Sequence, residues 1–111
     1  MSRYRLTRAA DLDIESILRD SARMFGPIQQ QVYASLLDAA ARMVAEQPDR
    51  PGSRDRKELG KGVRSFPVSL AANRSGAAAH VLFYLPDPDG ATIVRVLHEA
   101  MDPLLHLEAP V

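Results

Sequence analysis

Three histidines and a scatter of arginines are the side chains here that could move protons or hold a phosphate. Cleaving a phosphodiester needs a base for the attacking hydroxyl, a cation for the phosphate charge and an acid for the leaving oxygen. Arg64, Arg95, His98 and Glu99 are the right types. Arg95 and His98, however, stand three apart in the β-like run Ile93–His98, and alternation sends their side chains to opposite faces of a sheet. His98 therefore reads first as a strand-end residue that packs or hydrogen-bonds locally. His98, Asp102 and His106 recur at four-residue steps, a metal-ligand spacing on a helix, but Pro103 interrupts that stretch. With no cysteine there is no thiol nucleophile, thiolate zinc site or disulfide. No metal and no cofactor is expected.

The charges balance to zero over 111 residues, which argues against a dedicated, sequence-specific nucleic-acid binder. Locally the balance tips. From Asp49 to Arg64 there are six bases (Arg50, Arg54, Arg56, Lys57, Lys61, Arg64) against three acids. This segment is either a solvated face or a contact for a polyanion. Arg95 differs, because it interrupts an apolar strand. If buried it needs an acidic or carbonyl partner; the alternative is presentation on an open sheet face.

The elements that must position these groups follow from periodicity. Tyr4–Thr7 alternates as a short strand. Ile14, Ile17, Leu18, Ser21, Ala22 and Phe25 form a helical stripe, capped at its start by Thr7 or Asp11 and ended by Gly26-Pro27. Tyr33, Leu36, Leu37, Ala40, Met43, Val44 and Gln47 form a second stripe, and so short a link predicts an antiparallel helix hairpin. Residues 48–62, rich in proline, glycine and charge, read as a loop. Val63–Leu70, Val81–Leu85 and Ile93–His98 read as strands, with a turn at Asp87–Gly90 and a hairpin tip at Asn73–Gly76. The order β-α-α-β-β-β predicts one α+β domain over 1–111, its helix hairpin on one face of a mainly antiparallel sheet. An apolar fraction of 46% supports a single core, and no apolar run suggests a leader or membrane span, so a cytoplasmic protein is expected.

Arg95-Val96-Leu97-His98, followed by Met101-Asp102, resembles the closing signature of ParE-like toxins in the RelE/ParE toxin–antitoxin superfamily. Tyr4–Thr7 with Ala9-Ala10-Asp11, Gly62–Val68, His80–Tyr84 and His106-Leu107 resemble further stretches of that family in the same order. The segment Ser69–Ala79 is longer than the family's usual link and reads as strand extension plus a longer hairpin. The resemblance implies a toxin silenced by a ParD-like antitoxin whose tail wraps it, with DNA gyrase as the target and no catalysis. RelE-like relatives instead cleave mRNA on the ribosome. They usually place an aromatic or second histidine near the end of the last strand, where this chain has Glu99-Ala100-Met101. A toxin-like domain without activity is the third reading.

On the gyrase reading, Arg54, Arg56, Lys57, Lys61 and Arg64 are the expected target contacts. Leu12, Met24 and Ile28 lie off the helical stripes and are expected to form an apolar groove for an amphipathic antitoxin helix. Leu104, Leu105 and Leu107 lie past the last strand and are expected to dock on the sheet, or else to meet the target.

Overall fold

Thr7 decides where the first strand stops and the first helix begins. In the computed structural model, which describes residues 2–72 and 78–107, its N–H bonds the Ile93 carbonyl at 3.0 Å and extends the ladder of strand β1 (Arg3–Leu6) by one rung. Its hydroxyl oxygen accepts from the Ala10 N–H at 3.1 Å, capping helix α1 (Arg8–Phe25). Of the two cap candidates, Thr7 takes the role.

Gly26 alone links α1 to α2 (Pro27–Glu46). At φ 91° it occupies the region that favours glycine, and its N–H closes α1 onto the Ala22 carbonyl at 2.8 Å. Pro27 sits in the first turn of α2, where a missing N–H costs nothing.

The two helices are unequal. α2 buries Leu37, Ala40, Ala41, Val44 and Ala45, and its alanines let the helix lie close on the sheet. α1 buries only Ala10 fully and packs Ile14, Ile17 and Leu18 at the margin. Phe25 corrects its stripe: it is 67% exposed, because the chain reverses immediately beyond it and nothing covers the last turn. Gln47 likewise falls outside its helix and is exposed.

The sheet has five strands in the order β1-β5-β4-β3-β2, with β2 at Arg54–Asp55, β3 at Arg64–Pro67, β4 at His80–Asp87 and β5 at Gly90–His98. β1 runs parallel to β5 and every other pairing is antiparallel. The loop expected at 48–62 thus contains a two-residue strand, and a 3-10 turn at Lys57–Leu59. The strand expected to reach Leu70 stops at Pro67, and Val68–Ala71 winds into a 3-10 turn instead of extending the strand. Phe66 and Val68 are buried as their spacing suggests, while Leu70 is exposed. The hairpin tip expected at Asn73–Gly76 lies outside the described residues.

Each face of the sheet has its own core. Phe66, Leu82, Tyr84, Ile93 and Val96 meet the helices. Leu59, Val63, Phe83 and Leu97 form a second cluster on which Leu107 packs, so part of the C-terminal segment does dock on the sheet. Leu104 and Leu105 remain exposed.

A buried phenol ties the loop after α2 to the sheet. The Tyr84 hydroxyl donates to the Pro48 carbonyl and meets the Ser53 hydroxyl, which also accepts from Arg64 Nε at 2.8 Å. Tyr4 performs a related task for β1, donating to Asp38 on α2 at 2.6 Å. Burial and then the Asp38 carboxylate push its phenol up to about 12. Replacing Tyr84→Phe keeps the ring and removes the anchor. We expect a loss of about 0.5–1.5 kcal/mol in urea unfolding, the net worth of one hydrogen bond, because the Ser53 hydroxyl still donates to the Pro48 carbonyl at 2.9 Å.

Candidate functional site

A groove of about 870 Å³ opens where the α1–α2 hairpin overhangs the ends of β4 and β5. Ile17, Met24 and Phe25 from α1 give it an apolar wall, and Tyr33, His80 and His98 give it a polar one.

A β-bulge assembles that polar wall. Along the β4–β5 hairpin Tyr84 faces Ile93 but Phe83 faces Arg95, leaving Val94 as the extra residue. Beyond the bulge His80 pairs with His98, and both side chains reach the helix side. Without the extra residue, His80 would face Leu97, and His98 would point to the other face. The two imidazoles meet edge to face, with ring centroids 5.5 Å apart and planes at 85°. Tyr33 joins the row, its hydroxyl 2.5 Å from His80 Nδ1. His98 Nδ1 accepts from the Ala100 N–H at 3.0 Å. Burial, then repulsion from His98, lowers the His80 imidazole below its ordinary value, and burial raises the Tyr33 phenol. His80 and Tyr33 are therefore held neutral at pH 7.

The three apolar residues singled out by sequence do not form one patch. Met24 lines the groove and is 69% exposed, with Phe25 beside it. Ile28, 80% exposed, lies just across the turn, one helical turn before the exposed Val32. Leu12 is exposed too but lies about 18 Å from Met24 along α1, at 1.5 Å per residue, and does not line the groove. Its grouping with the other two is corrected by that distance.

Arg95 is engaged elsewhere. Its Nε and one terminal nitrogen donate to the two oxygens of Asp13 at 2.7 and 2.9 Å, and the other terminal nitrogen donates to the His106 carbonyl at 2.6 Å. Asp13 also accepts from the Val96 N–H at 2.9 Å. His98, Asp102 and His106 do not share a helix: β5 ends at His98, and Asp102 caps the 3-10 turn Pro103–Leu105 by accepting from the Leu104 N–H. Among the described residues no group of three acidic, histidine or cysteine side chains is placed to hold a metal ion. Met101 and Asp102 are exposed.

The basic segment divides into engaged and outward charges. Arg56 lies 5.4 Å from the centre of the Phe83 ring and pairs with Glu58 at 2.9 Å. Arg64 bonds Ser53. Arg54, Lys57 and Lys61 are exposed. Charge counting along the sequence could not separate the two sets. Nor could it find His80 and Tyr33, which read there as strand and core residues, or Asp13, which lies 82 residues from its partner.

Residues 4–103 match the model of the family described as ParE toxin of type II toxin–antitoxin system, parDE. The chain is 32% identical over 107 residues to Toxin ParE1 of Caulobacter vibrioides (strain ATCC 19089 / CIP 103742 / CB 15), covering 96% of this chain and 99% of that protein. Among solved structures it resembles the chromosomal ParDE TA system from P. aeruginosa, with a TM-score of 0.65 at 15% identity over 88% of this chain and 96% of that one. This last likeness shows the fold.

The Asp13–Arg95 contact generates a stability test. Asp13→Ala leaves the guanidinium without its carboxylate and the Val96 N–H without an acceptor. The side chains are 15% and 24% exposed, so we expect a loss of about 2–4 kcal/mol, reduced from a fully buried pair by solvent screening. Adding Arg95→Met should recover part of that loss in denaturant unfolding.

Proposed function

The chain belongs to the ParE toxin family of type II toxin–antitoxin systems, and from that membership we propose that it is a cytoplasmic, non-enzymatic poison of DNA gyrase silenced by a ParD-like antitoxin. The match of the family model across residues 4–103 carries the reading.

The groove supports the antitoxin half of it. An amphipathic helix would lay its apolar face on Ile17, Met24 and Phe25, with Ile28 extending the contact across the turn. Exposed apolar side chains at this density are costly to leave in water, and a standing partner removes that cost.

The placement of the cations supports binding over ribonuclease chemistry. Arg95 is committed to Asp13, and His98 stands edge-on to His80 with no space between the rings for a phosphate. Arg54, Lys57 and Lys61, facing outward, are the proposed contacts to gyrase and its DNA, while Arg56 and Arg64 hold the segment in place.

Expression of the lone chain should arrest growth with a DNA-damage response, and the purified chain should inhibit supercoiling without cutting transcripts. Reversing Arg54, Lys57 and Lys61 to Glu should weaken supercoiling inhibition about tenfold or more and leave antitoxin binding intact. Inhibition by the triple variant at the wild-type concentration would reduce these charges to a solvated surface. Transcript cleavage on ribosomes by the wild-type chain would replace the gyrase reading with the RelE one.

A further inference from the structure

We infer that the groove is acid-sensitive: it accepts the antitoxin only with His80 and His98 neutral, so the complex loosens as pH falls through the imidazole range. The inference rests on the groove being the antitoxin site.

His80 and His98 form the polar wall with ring centroids 5.5 Å apart, close enough for each imidazolium to repel the other. From α2 the facing group is the Tyr33 phenol, which is neutral at pH 7 and offers no negative charge. From α1 it is Asp20, but Asp20 is paired with Arg23 at 2.7 Å. Beyond β5, Glu99 is the remaining carboxylate among the described residues that acts on His80, and its influence is smaller than that of burial and of His98. An apolar helix seated on Met24 and Phe25 would strip water from both rings and bring no counter-charge. Protonation then has to be reversed before docking.

The sign follows from linkage. The occupied groove holds fewer protons than the open one, so affinity is full where the open groove is unprotonated and falls as acid protonates it. His80 already lies below its ordinary value in the open groove, so its share of the loss appears at the acidic end of the range. The limiting slope is about tenfold per pH unit for each imidazole that must lose a proton.

The probe is the purified product of the reading frame adjoining this chain's gene, titrated into the full chain by isothermal calorimetry between pH 5.5 and 8. Circular dichroism at each pH establishes that both proteins are folded. Dissociation constants should rise about 10- to 100-fold from pH 7.5 to 5.5, with net proton release on binding near pH 6. His98→Gln should remove part of that slope, and His80→Gln with His98→Gln should flatten it. The glutamine at 80 keeps an acceptor for Tyr33, and His98 is exposed, so the single variant provides a second readout if the double variant unfolds. An affinity independent of pH, or a full slope in a folded His98→Gln or double variant, overturns the inference and leaves the antitoxin reading standing. Tighter binding in acid overturns it too, and means that the occupant supplies a carboxylate. No binding at pH 7.5 overturns the antitoxin reading and this inference together.

Discussion

Strand β1 ends at Leu6, and at that point the outer edge of β5 would run on without a neighbour. The Asp13 carboxylate takes over from the strand, accepting the Val96 N–H and gripping Arg95 with both oxygens. A single side chain thereby blunts an open sheet edge and pins α1 across it. Two further features hang on this contact. Arg95, held in place by Asp13, donates to the His106 carbonyl and fixes the segment whose Leu107 covers the second face of the sheet. With α1 fixed, its last turns overhang His80 and His98 and so create the groove.

The sheet has different neighbours on its two faces. On one, the small residues of α2 bring a helix close enough to seal Tyr84, Phe66 and Ile93. On the other, a 3-10 turn and a C-terminal segment cover a thinner cluster, and Arg56 lays its guanidinium over Phe83 at the margin. The outward cations thus belong to the second face and its edge, whereas the apolar groove belongs to the helix face. On the function proposed here, target and antitoxin approach different parts of the molecule.

The helices, their hairpin and the Asp87–Gly90 turn were legible because each is set by local chemistry: a stripe of apolar spacing, a capping hydroxyl, a glycine required by geometry. Gly90 shows how firm such a requirement is, since a Cβ there would lie 2.1 Å from the Arg3 carbonyl oxygen. The two-residue β2 is too short to carry any periodic signal. The Tyr33–His80–His98 row was illegible for a different reason. It depends on Val94 dropping out of register, and a bulge has no composition of its own. Asp13 and Arg95 were each visible as charges, but their pairing is a product of the finished topology. Phe25 misled because its spacing matched a stripe whose covering layer ends one turn earlier.

The first strand lies parallel to the last, Arg3 beside Gly90 and Leu6 beside Ile93. A ribosome therefore emits β1 long before its neighbour exists, and the contact that seats α1 waits until Arg95 and Val96 have cleared the exit tunnel. At about 5–20 residues per second, a growing chain spends several seconds with both helices made and no complete sheet to receive them. Through that interval the nascent protein has neither groove nor finished second face. Maturation is then a late, collective step, and on the function proposed here a cell making toxin and antitoxin together has until that step to have the partner ready.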